Sequence, residues 1–437
     1  MIPADSPPDS MKLSPKHQWL SWLPQLNRQV WILAAGRLLS AIGTGFTLFY
    51  APLFFAGGLG LTKTAVGIAL ASASLAGVFS RILSGILTDS PAAGRRRTLL
   101  ISNFISAGGS FVLAAATNFP ILIAGNLLLG FGAGLYWPAT EAIIADLTTD
   151  SHRHEAYALT RLADNLGLQL GVVLGGVLIS LTGAYRTLFL IDSISFLVFF
   201  GVIYLAIAET YQPTTPETAE EKTNSSHSPL NGWAAALRDR ALLIYVAVNI
   251  MFTTYICQIQ TTMPLYFSDF ISAGQTGKGF STETISGLFT WYMASSILFQ
   301  LPVAKFLRRF SYPAALTGSA LLWAVGFPFI AATDISPPAH LIPAILGLGV
   351  LAIATVSYTP FASSLVVQLA PESLRGVYFS INAQCWAIGY FIGPPLGGWA
   401  LDQSPAVAHS FWLALSLSAG VAILILQYLD RLLGGRK

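Results

Sequence analysis

Shifting the chain 222 positions along itself brings one long stretch into register without a gap. Tyr136 meets Tyr358, Pro138 meets Pro360, Leu147 meets Leu369 and Arg153 meets Arg375. Farther on, Gly167, Gly171, Leu174, Gly175 and Gly176 meet Gly389, Gly393, Leu396, Gly397 and Gly398. A Gly- and Leu-rich chain overlaps itself by chance at Gly and Leu, but not at Tyr, Pro and Arg together. A second echo has a spacing of 212, Pro52-Leu53-Phe54-Phe55 against Pro264-Leu265-Tyr266-Phe267, and a longer loop near 272–282 accounts for the difference. The chain is two related halves, and both are apolar. Parallel repeats in a membrane chain point to a secondary transporter.

Only 10% of the residues are charged and the mean hydropathy is +0.63. A soluble domain carries about 25% charged residues, so this chain cannot dress a water-facing surface and the bilayer is its solvent. A spanning helix needs about 20 mostly apolar residues. That length predicts twelve helices, six per half, near 30–56, 64–88, 98–117, 119–147, 155–182 and 185–208, then 241–268, 283–305, 312–333, 340–369, 374–401 and 408–429. The runs are too long and too continuously apolar for barrel strands. The expected organisation is a tail over 1–29, a lobe over 30–208, a linker over 209–240, a second lobe over 241–429 and a tail over 430–437. No cleavable signal peptide is expected, because residues 1–29 are polar and dotted with proline. Cys257 and Cys385 fall inside expected helices, which argues against a disulfide framework.

Lysine and arginine predict the orientation. Seventeen of the 23 fall on the side of both termini, three (Lys63, Arg186, Lys278) on the other, and three (Arg37, Arg81, Arg161) inside spans. Positive charge stays cytoplasmic, so both termini are expected in the cytoplasm, with the chain multi-pass in a plasma membrane of the bacterial inner-membrane type. The polar stretch from Glu209 to Arg240 reads as a flexible linker, with a short interfacial helix near Trp233 at its end.

Between the second and third spans the chain reads Gly85-Ile-Leu-Thr-Asp89, four residues, then Gly94-Arg95-Arg96-Arg97. Glycine lets helices approach, the aspartate can accept N–H bonds at a helix N-terminus, and the arginines hold the turn at the headgroups. This resembles the signature between the second and third helices of the major facilitator superfamily. Two residues are extra between Asp89 and Gly94, and Ser90 stands where that signature has a basic residue. With the six-plus-six repeat, the resemblance extends from Val30 to Leu429. It implies an all-α membrane protein of twelve transmembrane helices in two six-helix lobes, working by alternating access, with Gly85, Asp89, Gly94 and Arg95–Arg97 as a gating motif. The glycine stripe of the fifth span, Gly167, Gly171 and Gly175, reads first as a packing surface, and it resembles the antiporter motif of the drug-efflux branch. Val172 replaces that motif's proline, while Gly393-Pro394 lies in the eleventh span. In the fourth span, Asn126 stands where proton-coupled drug exporters carry arginine.

Ionisable residues in the spans carry the most information, since each costs about 2.5–3.5 kcal/mol at a helix centre on insertion scales. Arg37, Glu141, Arg161 and Asp164 all fall in the terminal half of the first lobe and sum to zero charge. They are expected to form one cluster, either an internal clamp that only holds the first, fourth and fifth spans together or a charge relay or substrate site that rearranges as the halves rock. Arg161, Asn165 and Gln169 make a polar stripe. In the second lobe Asn249, Thr253, Cys257 and Gln260 share a face. The resemblance implies that the first, fourth, seventh and tenth spans line a central cavity. That adds Thr44, Tyr136, Trp137 and Tyr358, and suits an amphipathic or sugar-like solute. The expected partners are a small solute, the bilayer and a coupling proton or other ion, with the chain acting as a monomer. No cofactor, metal, nucleic acid or enzymatic role is expected, because no phosphate loop, metal spacing or nucleophile–base pair is present. The first expectation is solute export. The alternatives are uptake of a sugar or metabolite, and a non-transporting receptor or scaffold on the same fold.

Overall fold

A computed structural model describes residues 26–88, 90–91, 93–211, 229–271, 279–335, 340–371 and 374–434. Six long helices form the first half: α1 Arg28–Leu53, which runs on through a π turn Phe54–Gly58, α2 Lys63–Thr88, α3 Gly94–Ala115, α4 Phe119–Leu147, α5 Asp150–Thr182 and α6 Tyr185–Ala206. A short helix, α7 Pro229–Ala236, precedes the second six. These are α8 Arg240–Asp269, α9 Thr282–Leu307, α10 Tyr312–Ala331, α11 Leu341–Leu369, α12 Arg375–Asp402 and α13 Pro405–Gly434. Among the described residues, ten of the twelve long helices are long and apolar enough to cross a membrane, and α9 and α12, of 26 and 28 residues, pack among them.

Polar residues set several helix starts. Asn118 accepts from the Ile121 N–H at 3.1 Å, Asp239 from Ala241 at 3.0 Å and Ser281 from Thr284 at 3.2 Å. Each occupies one of the donors a helix leaves open at its first turn. At the other end of α5, Gly183 takes a positive φ and returns its N–H to Ile179.

The repeat is visible in the packing. In the first half α1 lies on α5 and α6, α2 on α4, and α3 on α4 and α6. The second half reproduces every pair: α8 on α12 and α13, α9 on α11, and α10 on α11 and α13. Helices α4 and α11 each have 29 residues, starting at Phe119 and Leu341, the same 222-residue offset, with Pro138 and Pro360 inside them. The result is two six-helix lobes. They meet through α2 against α12, α5 against α9, and α1 against α8. One end of the molecule, here the terminal pole, holds Arg28 and Gly434. The other, the distal pole, holds the α1–α2, α5–α6 and α12–α13 connections.

Candidate functional site

The charged residues of the first lobe come together in two pairs. Arg37 on α1 reaches across to α5, where its Nε donates to Asp164 Oδ1 at 2.9 Å and its Nη2 to Oδ2. The Arg37 side chain is 2% exposed and Asp164 15%. Arg161, one turn from Asp164, turns instead to α4 and bonds Glu141 at 3.0 Å, in a pair 61% and 45% exposed. Trp137 lies between the arginines, 5.4 Å from Arg37 and 5.7 Å from Arg161, and Arg37 also covers the Tyr136 ring at 5.5 Å. A desolvated guanidinium gains from both the bidentate carboxylate and the ring faces. One pair is thus sealed between helices and the other is open to water.

The second lobe answers with neutral groups at repeat-related places. Asn249, offset by 212 from Arg37, accepts from the Tyr358 hydroxyl at 2.6 Å and donates to Asn382 at 2.9 Å. Tyr245 donates to the same Asn382 oxygen at 2.6 Å. Asn249 and Thr253 are fully buried, and Thr253 donates to the Cys385 carbonyl at 2.9 Å. Gln260 is exposed and accepts from Tyr390, whose ring stands 6.1 Å from that of Trp386. Of the remaining polar positions, Thr44 is half-buried on its own helix, Asn165 is exposed, and Gln169 is half-buried with an unpaired Oε1. Asn249→Ala should therefore destabilise the second lobe by about 1–3 kcal/mol, the cost of leaving the buried Tyr358 hydroxyl unpaired, while Asn382 keeps its bond from Tyr245. Thermal unfolding of the purified variant measures it.

At the terminal pole Asp89 lies outside the described residues. The N-terminus of α3 is capped by Glu209, which follows α6 and accepts from the N–H groups of Arg95 at 2.9 Å and Arg96 at 3.1 Å. Gly94 makes this possible: its φ is +69°, and a side chain there would meet the carboxylate. Arg95 pairs with Asp146, Arg96 covers the Tyr204 ring at 5.3 Å, and Arg97 is exposed. Gly85 has open space where a side chain would stand. Burial opposes the Glu209 charge, but N–H bonds from Tyr211, Arg95, Arg96 and Thr210 prevail and hold its carboxyl below the ordinary value. A lowered carboxyl stabilises above its unfolded pKa and loses that contribution as pH falls through the folded one. Glu209→Gln should thus lower the unfolding temperature at neutral pH, with the difference from the parent vanishing in strong acid.

Two interior groups were less visible in sequence. Asp192 on α6 is 1% exposed and accepts from Thr47 at 2.5 Å and Ser110 at 2.7 Å, tying α1 and α3 to α6. A lone aspartate in the middle of a 22-residue helix whose only other charge is Arg186 at its start was the available signal. Arg81 on α2 is half-buried within electrostatic reach of Glu141, and its Nε has no hydrogen-bond partner.

The lobes close on each other at the distal pole. The Asp402 carboxylate at the end of α12 accepts from the Lys63 and Thr64 N–H groups at 2.9 and 2.7 Å and from the Thr64 hydroxyl at 2.5 Å, capping α2 across the cleft. Lys63 Nζ also lies 2.8 Å from Asp269 of α8. Glycine stripes set the fit. Gly167, Gly171 and Gly175 seat α5 on α1, while Gly389, Gly393 and Gly397 seat α12 on α8. The next glycine in each stripe crosses to the other lobe: Gly176 meets Ser286 of α9, and Gly398 meets the Lys63 backbone of α2. Gly67 meets the Pro394 carbonyl beside it.

These features define a two-lobed, multi-pass helical membrane protein with a polar interior between repeated halves. The Major Facilitator Superfamily model matches residues 33–277 and 270–433, and the chain belongs to that family of transporters. It is 24% identical over 85% of its length to a Na(+), Li(+), K(+)/H(+) antiporter of Planococcus maritimus, covering 90% of that protein. It is 21% identical over 92% of its length to the quinolone resistance protein NorA of Staphylococcus aureus, covering 97% of it. Its fold is that of crystal structures of the nucleoside transporter NupG, with a TM-score of 0.77 and 16% identity over 92% of this chain and 100% of that one. A peptide transporter, POT, superposes with a TM-score of 0.73 at 17% identity over 96% of this chain and 98% of that one.

Proposed function

We propose that the protein is a secondary active transporter that exports a small solute by alternating access, with ion coupling. The observation that carries this reading is the asymmetry of the cleft. Repeat-related glycines and the Asp402 cap shut the distal pole, while the Arg161–Glu141 pair on the terminal side stays exposed. A repeat of this kind supports two such states of similar energy, because either pole can close with equivalent helices. In the second state the open space at Gly85 is where a helix of the other lobe would arrive. With the termini in the cytoplasm, as the lysine and arginine distribution supports, the described conformation faces the cytoplasm of a bacterial cell. Export is supported by kinship with a drug-resistance protein and ion coupling by kinship with an antiporter. Reconstituted in proteoliposomes, the protein should accelerate movement of a solute from a panel of aromatic acids, amines and sugars, and an imposed pH gradient should drive that solute against its own gradient. Flux no faster than in empty liposomes for every member would refute the reading.

A further inference from the structure

Among the described in-span residues of the first lobe, the water-exposed group is one negative charge short. Arg37 is sealed against Asp164 and needs nothing more. That leaves Arg81 and Arg161 around one carboxylate, Glu141. Arg161 commits one nitrogen to Glu141, and at 61% exposure its other donors face water. Arg81 has no carboxylate within ion-pair distance among the described residues, and its buried Nε makes no hydrogen bond. Asp192 does not supply the missing charge. Its partners are Thr47 and Ser110, and Thr47 follows Arg37 by ten residues, about 15 Å along α1.

An uncompensated guanidinium in a half-desolvated cleft favours an anion, and its fork of donors matches a carboxylate bidentately. The second lobe presents an apolar counterpart without in-span charge. Trp386 and Tyr390 are half-buried, with rings 6.1 Å apart, and Tyr390 is tied to the exposed Gln260. Trp137 offers a further ring face beside Arg161.

Building on the transport reading above, we infer that the solute is an amphipathic organic anion. Its acid group sits between Arg81 and Arg161 and its aromatic or apolar body against Trp386 and Tyr390. Arg81 and Arg161 select the charge, and the aromatic pair supplies area without fixing the identity.

The test uses the full-length protein in lipid nanodiscs and calorimetric titration with three probes of one shape: 1-naphthoate, 1-naphthamide and 1-naphthylmethylammonium. Naphthoate should bind at least tenfold more tightly than the amide or the amine. Arg81→Gln should weaken naphthoate at least tenfold while leaving the amide unchanged, and Arg81→Lys should keep most of the preference for the acid. Because Arg81 makes no hydrogen bond or ion pair among the described residues, the Gln variant should elute as the parent does on size exclusion. Preference for the amine, equal binding of all three, no binding of any, or naphthoate affinity indifferent to Arg81→Gln would each overturn the inference. Flux separates it from the transport reading. If the amine is carried and the acid is not, transport stands and the anion site falls. If the acid binds through Arg81 but nothing is carried, the site stands and transport falls.

Discussion

Asp164→Asn is expected to be among the most damaging single substitutions in the chain, costing about 3–5 kcal/mol because it strands a buried guanidinium. Arg37 is 2% exposed, and both of its bonds to α5 end on that one carboxylate. The Tyr136 and Trp137 faces attract the cation but do not neutralise it. Neutralising both partners, with Arg37→Gln added to Asp164→Asn, should recover more than half of the loss, since a neutral pair in that slot has no charge to desolvate. Arg161→Gln breaks a pair 61% and 45% exposed and should cost under about 1 kcal/mol. Thermal unfolding across the double-mutant cycles checks all of this. Strong coupling is expected between 37 and 164 and near-additivity between 161 and 164. Additive behaviour of Arg37 and Asp164 would dissolve the clamp between α1 and α5.

The second large effect is expected at the distal pole. A side chain at Gly398 runs into the Lys63 carbonyl, and one at Gly67 into the Pro394 carbonyl. Both obstacles are main chain in another lobe, so no rotamer change relieves them and the lobes themselves must part. Gly398→Leu should therefore fold, because each lobe keeps its own helix pairs, yet fail to shut the distal pole. Solute flux in proteoliposomes should fall at least a hundredfold while binding at equilibrium survives. Flux within a few-fold of the parent would show that this contact is no part of the closure.

The architecture was legible because it depends on quantities a sequence states directly. Span length and hydropathy locate twelve helices, and the 222-residue offset that aligns Tyr136 with Tyr358 also describes which helices pack together. Arg37, Glu141, Arg161 and Asp164 stand out for a similar reason, since few charges survive inside spans, but nothing in the sequence groups Arg81, also inside a span, with Glu141. The pairing of the four was not legible. Arg161 and Asp164 are neighbours on one helix, but the carboxylate meets α1 and the guanidinium meets α4. Helical spacing says which residues share a face, and says nothing of the helix that face meets. Asn249 and Gln260 show the same gap: they share a face of α8, yet one is locked into a bond network with α11 and α12 and the other is exposed. Glu209 reads in sequence as the start of the linker, because its capping role depends on where α6 delivers the chain, beside the start of α3.

The central claim is that one rigid repeat closes either pole in turn, and distances between spin labels in liposomes test it most directly. With the buried Cys257 and Cys385 replaced, one labelled pair is set across the distal cleft at exposed Thr62 and Gln403, and another across the terminal cleft at exposed Thr149 and Pro371. Two populations are expected for each pair, with the short distal distance matched to the long terminal one. Gly398→Leu should deplete the short distal population and enrich the short terminal one. A single fixed distance at both poles, unchanged by a pH gradient and by that substitution, would contradict alternating access in this protein.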